Sequence, residues 1–205
     1  RTTDMNHPLR CECGTLKGYV SHPESVCRGI CYCKDCQAYA HFLGKPGEIL
    51  DGMGGSDVIA TLPQHVTFTQ GVEKLTCMSL SGRGMLRWYA SCCNTPVGNT
   101  ARDFKVSHVG LLHNCLQDPS ASLDSAFGPV RMKVGMKSGK GKPTGMPVST
   151  TVAILGFMAK LIRTRLNGGY KITPFFNPDD GTPRVPPKVL TPDERARLMQ
   201  AVEAF

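Results

Sequence analysis

Cys31, Cys33 and Cys36 place three thiols within six residues. Cys11 and Cys13 lie about twenty residues upstream, and the adjacent pair Cys92-Cys93 lies farther down, so seven of the ten cysteines fall into three tight groups. Thiolates this close repel one another unless a cation or a covalent bond relieves them. Cysteines spaced C-x-C and C-x-x-C make poor intrachain disulfide partners for each other, which leaves zinc as the ordinary solution and a reducing compartment as the expected setting. The expected location is therefore cytoplasmic.

The two sets predict different chemistry. In an extended strand, residues i and i+2 point the same way, so Cys11 and Cys13 would aim both sulfurs at one point, with Gly14 letting the chain turn away. Cys92 and Cys93 are the expected other half. Four thiolates close a tetrahedral shell and leave no room for a substrate, the signature of a structural site. Cys31, Cys33 and Cys36 supply three convergent sulfurs from one local turn and no obvious fourth. A zinc ion on three ligands keeps a position open for water or an exogenous thiol, and a zinc-held thiol stays deprotonated and nucleophilic near neutral pH. Cys27, Cys77, His41 and Cys115 are the candidates for a fourth ligand, which would make this second site structural as well.

The elements that must position these thiols are mostly strands. Thr15 to Val20, Val58 to Leu62, His65 to Phe68, Leu86 to Ala90 and Val106 to Leu112 mix β-branched and aromatic residues with polar ones. Residues 52–57 and 81–84 are turn material, and the second predicts a hairpin between Leu75–Leu80 and Met85–Ala90 that delivers Cys92-Cys93 at a strand end. A short helical turn is expected after Cys36. Arg131 to Pro147 is rich in Gly, Lys, Arg and Pro without periodicity, and reads as a basic loop or linker. Beyond it Thr151, Leu155, Met158, Ile162 and Leu166 recur at helical spacing; the expectation is a helix, stopped by Asn167-Gly168-Gly169, whose apolar stripe docks on its own domain, the alternative being a basic amphipathic helix resting on a membrane surface. Thr173 to Pro187, with Phe175-Phe176, reads as an ordered packing loop. Thr191, Pro192 and Glu194 form the start signal of a last helix.

At this point a resemblance becomes specific. The text Arg10-Cys11-Glu12-Cys13-Gly14, then Cys31-Tyr32-Cys33-Lys34-Asp35-Cys36, then Arg87 through Cys92-Cys93-Asn94-Thr95-Pro96-Val97 resembles the glutathione-dependent formaldehyde-activating enzyme family, which includes the centromere protein V domain. Val109 to Leu112 resembles the strand that closes that domain, and the resemblance covers residues 8 to 115. It implies a mainly β fold, a tent-like arrangement of small antiparallel sheets, with one structural zinc and one held by three cysteines. By position, Cys11, Cys13 and Cys93 match the structural ligands, with Cys92 as the fourth, and Cys31, Cys33 and Cys36 match the catalytic set. The implied activity is that of a carbon–sulfur lyase run in reverse, joining an aldehyde such as formaldehyde to a small thiol such as glutathione. The sequence departs from the family at its last motif: C-x-x-C-G becomes Ala90-Ser91-Cys92-Cys93-Asn94, with Asn94 at a position that fits positive φ.

The expected organisation is thus a zinc-binding β domain over 1–115, a basic linker or loop over 116–150, and C-terminal helices over 151–205 packed on the β domain or forming a homodimer contact. One Trp, five Tyr and eight Phe are few large anchors for 205 residues, so metal sites would support the core. No apolar run of membrane-spanning length exists and no signal peptide is visible at Arg1. The formal charge of +8 falls to about +5 once seven thiolates hold two zinc ions. Lys34, His41, Lys45 and Arg83 are the candidate basic groups for holding glutathione carboxylates, and the sequence singles out none of them. The alternative function is a non-catalytic zinc module that binds protein or nucleic acid through the basic residues Lys137, Lys140 and Lys142.

Overall fold

A computed structural model describes residues 6–141, 143–145 and 150–205. The chain is mainly β, with helices that include one near the C-terminal end. The strands are β1 (His7–Arg10), β2 (Lys17–Val20), β3 (Cys27–Cys31), β4 (Ser56–Thr61), β5 (Val66–Gln70), β6 (Leu75–Ser79), β7 (Leu86–Ala90), β8 (Thr95–Thr100), β9 (Val109–Leu112), β10 (Met132–Val134) and β11 (Lys188–Val189). The helices are α1 (Lys34–Phe42), α2 (Pro46–Ile49), α3 (Leu123–Phe127), α4 (Thr150–Leu166) and α5 (Pro192–Ala204). Strands β1, β2 and β5 make a three-stranded sheet; the other eight run in the order β10-β3-β4-β9-β8-β7-β6-β11.

The expected hairpin forms as β6 and β7, paired antiparallel from Leu75 opposite Ala90 to Met78 opposite Arg87. β7 continues into β8 through a four-residue turn, Ser91 to Asn94, in which the carbonyl of Ala90 accepts from the Asn94 N–H at 2.8 Å. Asn94 has φ +55°, the left-handed region that Asn tolerates better than most side chains. Trp88, fully buried at the centre of β7, packs against Phe175 with ring centroids 5.2 Å apart, so the Pro-rich loop over 173–187 does pack on the sheet. Burying each such side chain contributes roughly 1.5–3 kcal/mol.

The segment after residue 115 is tied into the large sheet. β10 adds to its edge in parallel with β3, and β11 adds to the other edge in parallel with β6. Residues 131–147, read from the sequence as loop or linker, thus contribute a strand. Arg28 on β3 pairs with Asp57 on β4 and with Asp124 on α3, holding this edge through a buried guanidinium. The final helix packs on α1, where Leu190 and Val202 join Ala40, Leu43 and Met78 in a second core. Its start carries the expected capping box, with Glu194 N–H on the Thr191 hydroxyl at 3.2 Å and Thr191 N–H on the Glu194 carboxylate at 2.9 Å.

One helix docks the opposite way from its expectation. α4 ends at Leu166, before Gly168 at φ +76°. It meets the domain through Thr150 and Thr164, which are buried, and through the half-buried Ala153, Phe157 and Leu161, while Leu155, Met158, Ile162 and Leu166 face solvent. Apolar residues occupy most of its circumference, so spacing alone does not say which face is covered.

Candidate metal centres

Two groups of thiols converge, and each ends on a different kind of backbone. Cys11 and Cys13 do not lie in an extended strand as expected. They sit in the turn between β1 and β2, where Gly14 N–H returns to the Cys11 carbonyl at 2.9 Å and Gly14 takes φ +76°. The turn, rather than strand alternation, brings the two sulfurs to 3.5 Å. The β7–β8 turn supplies the other half, and it also lets adjacent cysteines share one point, which a strand would forbid. Cys92 Sγ lies 3.8 Å from Cys11 Sγ, 3.3 Å from Cys13 Sγ and 3.8 Å from Cys93 Sγ. A zinc–sulfur bond of about 2.3 Å sets a tetrahedral edge of about 3.8 Å, so the four thiols fit a metal ion. Leu16 N–H donates to Cys11 Sγ at 3.2 Å, and the Thr15 and Thr95 hydroxyls lie 3.2 and 3.1 Å from Cys13 and Cys93. The Thr15 hydroxyl and backbone hold the Cys13 thiol at a pKa of about 6. These contacts orient the thiols as outer partners of metal ligands do.

The second group is built on a strand end and a helix start. Cys31 closes β3, Cys33 is the N-cap of α1, and Cys36 lies in its first turn, so the helix begins before Cys36 rather than after it. Cys33 Sγ stands 3.3 Å from Cys31 Sγ and accepts from the Cys36 N–H at 3.4 Å. A helix N-terminus favours negative charge, so thiolates are held where the peptide dipoles support them. Bonds from Cys31 and Cys33, followed by the charge of Arg87, keep the Cys36 thiol well below its usual pKa. Among the described residues no fourth His, Cys, Asp or Glu joins this group. Cys27 lies by Met132, Cys77 by its neighbour's carbonyl and Cys115 under the Val97 and Leu112 carbonyls, all as buried thiols, while His41 stacks edge-on against Phe205.

Arg87 stands at the start of the last cysteine motif, and the sequence alone gives it no role. Its guanidinium is almost fully buried, with Nη1 3.6 Å from Cys36 Sγ and 3.2 Å from Asn99 Oδ1, and its plane lies over the Tyr39 ring. No carboxylate among the described residues pairs with it. A buried cation needs an anion, and the thiol group is the one within reach. The signal was present: an Arg in the middle of the apolar run Leu86 to Ala90 is out of place unless something charged faces it.

The C-terminal half closes around the same group. A Cβ at Gly135 would stand 2.7 Å from the Cys33 backbone nitrogen, so the chain after β10 passes directly over this cysteine. Gln37 donates to the Tyr32 carbonyl at 2.8 Å and the Ser138 carbonyl at 3.0 Å, tying α1 to that segment. Beside it a cavity of about 550 Å³ is lined by Lys34, Gln37, Lys137, Lys140 and Phe205 among others. Of the basic groups expected near a substrate, Lys34 is here, paired with Glu203. Lys45 lies beside the four-thiol group instead, paired with Glu12, and Arg83 lies in the exposed β6–β7 turn. Lys140 lies over the Phe205 ring, Lys137 is exposed, and Lys142 lies outside the described residues.

Comparison with curated proteins gives no match. A family model matches residues 4–182, a span that takes in both thiol groups, Arg87, β10 and α4. The chain belongs to that family, a family of unknown function designated DUF6151.

Proposed function

We propose that the protein is a two-zinc enzyme of the carbon–sulfur lyase type, built on a tent-like β domain related to the glutathione-dependent formaldehyde-activating enzymes. Its substrate is a thiol–aldehyde adduct such as S-hydroxymethylglutathione, or the free thiol and aldehyde in the joining direction. The observation that carries this reading is the difference between the thiol groups: four sulfurs in one, three in the other with no fourth protein donor among the described residues. Zinc bound at Cys31, Cys33 and Cys36 would supply a Lewis-acid position at which an incoming thiol loses its proton.

The chain's own residues set the conditions around that position. The α1 N-terminus supports the negative charge of Cys33, and Arg87, with Nη1 3.6 Å from Cys36 Sγ, offsets that of Cys36. The cavity beside Lys34 and Gln37 has room for a small thiol, and its lysines suit a substrate that carries carboxylates. In the joining direction the thiolate sulfur attacks the carbonyl carbon, a C–S bond forms, and the oxygen takes a proton. Tyr39 is a poor source of that proton, because its hydroxyl is committed to the Trp88 carbonyl at 2.8 Å.

Zinc content and turnover of S-hydroxymethylglutathione, measured on the wild type and on Cys36→Ser, test the reading. The expected result is two zinc ions in the wild type, one in a folded Cys36→Ser protein, and turnover lost with the second ion. Full turnover in the folded variant overturns the mechanism.

A further inference from the structure

The solvent face of α4 is a feature that the thiol chemistry leaves unused. Val152 is 74 % exposed, Leu155 64 %, Ile162 56 % and Leu166 82 %, with Met158 at 47 % between them. At about 100° per residue these side chains form one continuous apolar stripe, opposite the docked face of Thr150, Ala153, Phe157 and Thr164. On the same wheel Arg163 and Arg165 fall on the two edges of the stripe, one on each side. No acidic residue occurs among the 17 residues of the helix. Lys160, on the docked side, is already committed to the Ser25 carbonyl at 2.6 Å.

We infer that α4 is an interfacial helix that lies flat on an anionic lipid bilayer. Leu155, Met158, Ile162 and Leu166 enter the boundary between headgroups and acyl chains, and Arg163 and Arg165 lie beside them at the level of the lipid phosphates. The charges select this occupant. A second copy of the chain would bring another acid-free helix against the first and set arginine near arginine, whereas an anionic bilayer supplies a counter-charge to both edges at once. Arg165 has one carboxylate nearby, Asp103 at 4.0 Å, and both are more than half exposed, a contact too weak to compete. The helix lies on the bilayer rather than through it: it is about 26 Å long, and no described helix is long and apolar enough to cross a membrane. The rest of the domain stays on the aqueous side, attached through the Thr150 hydroxyl to the Arg131 carbonyl and through Phe157 to His108.

Sedimentation of the full chain with vesicles of phosphatidylcholine containing about 30 % phosphatidylserine tests this. The wild type is expected to pellet with these vesicles at low salt, to bind pure phosphatidylcholine far less, and to be released in part at about 0.5 M NaCl. The double variant Leu155→Asp/Ile162→Asp changes only exposed side chains. It is expected to keep its circular dichroism and metal content while its partitioning falls by roughly tenfold or more. Arg163→Gln/Arg165→Gln should lose the preference for phosphatidylserine. Wild-type protein that stays in the supernatant overturns the inference. So does pelleting that Leu155→Asp/Ile162→Asp leaves unchanged, since binding would then be charge alone. A vesicle-independent dimer that this variant splits overturns it in favour of a second copy.

Discussion

At the scale of single residues, two positions decide whether the thiols can meet. Asn94 at φ +55° ends the β7–β8 turn that presents Cys92 and Cys93, and its side chain reaches the Leu43 carbonyl at 3.4 Å. Asn94→Ala is expected to cost about 1 kcal/mol in urea unfolding, because a Cβ-bearing residue without a local polar partner resists the left-handed region. Asn94→Gly should stay within a few tenths of wild type. The sequence hinted at this through Asn standing where the resembling family has Gly. Arg87 was equally legible in principle, as a lone cation in an apolar strand, yet nothing local says which anion it meets. That information lies in the fold, since Cys36 comes 51 residues earlier in the chain.

At the scale of elements, β2, β4, β5, β6, β7 and β9 were readable because β-branched and aromatic residues mark them and turn residues bound them, whereas β3 and β8, with Cys and Gly or Pro and Gly among so few residues, carry no such mark. β10 and β11 were not, being three and two residues long and defined only by parallel partners far away in sequence. α4 was readable as a helix but not in its orientation, for the reason that apolar residues surround it. The turn after β9 carries a pH dependence of its own. His113 follows β9, its Nδ1 is buried without a hydrogen-bond partner, and burial lowers its pKa below the usual imidazole value, with Asp57 opposing. The neutral form is therefore favoured in the folded chain. Above the unfolded pKa of about 6.5 both states are neutral and nothing is gained or lost. As pH falls below it the unfolded chain takes the proton first and stability drops, until the lowered folded pKa is passed. The urea midpoint at saturating zinc should thus fall as the pH is lowered by about two units, from about 7.5 to about 5.5. His113→Gln should lose less over the same interval; an identical loss would remove His113 as a contributor.

At the scale of the whole molecule, the core and the metal groups are interdependent. Cys11 belongs to the same buried cluster as Trp88, Leu111 and Phe175, and Cys93 packs against it, so the four-thiol group adjoins the main core through two of its members. Stripping metal should therefore act on the entire domain. Treatment with a strong chelator is expected to lower Tm by on the order of 10 °C, with recovery on adding back zinc; an unchanged Tm would mean that the core stands without it. The chain's share of large aromatic residues pointed to this dependence. What composition did not convey is that residues after 115 wrap back to build the surroundings of Cys33 and Cys36, because β10 is only three residues long and its partner β3 lies far earlier in the chain.

The two thiol groups also differ in how far the chain must travel to make them. Cys31, Cys33 and Cys36 are neighbours in any conformation, folded or not, whereas Cys11 and Cys13 meet Cys92 across 81 and 79 residues. Closing a loop of that length costs entropy that only the formed β1–β2 and β7–β8 turns and the core between them can offset. A chain emerging from synthesis therefore offers metal its local, three-sulfur group first, and the four-sulfur group exists only once β8 has been made and the first sheet has met the second. The order in which the two thiol groups become able to hold an ion is written in the spacing of the cysteines.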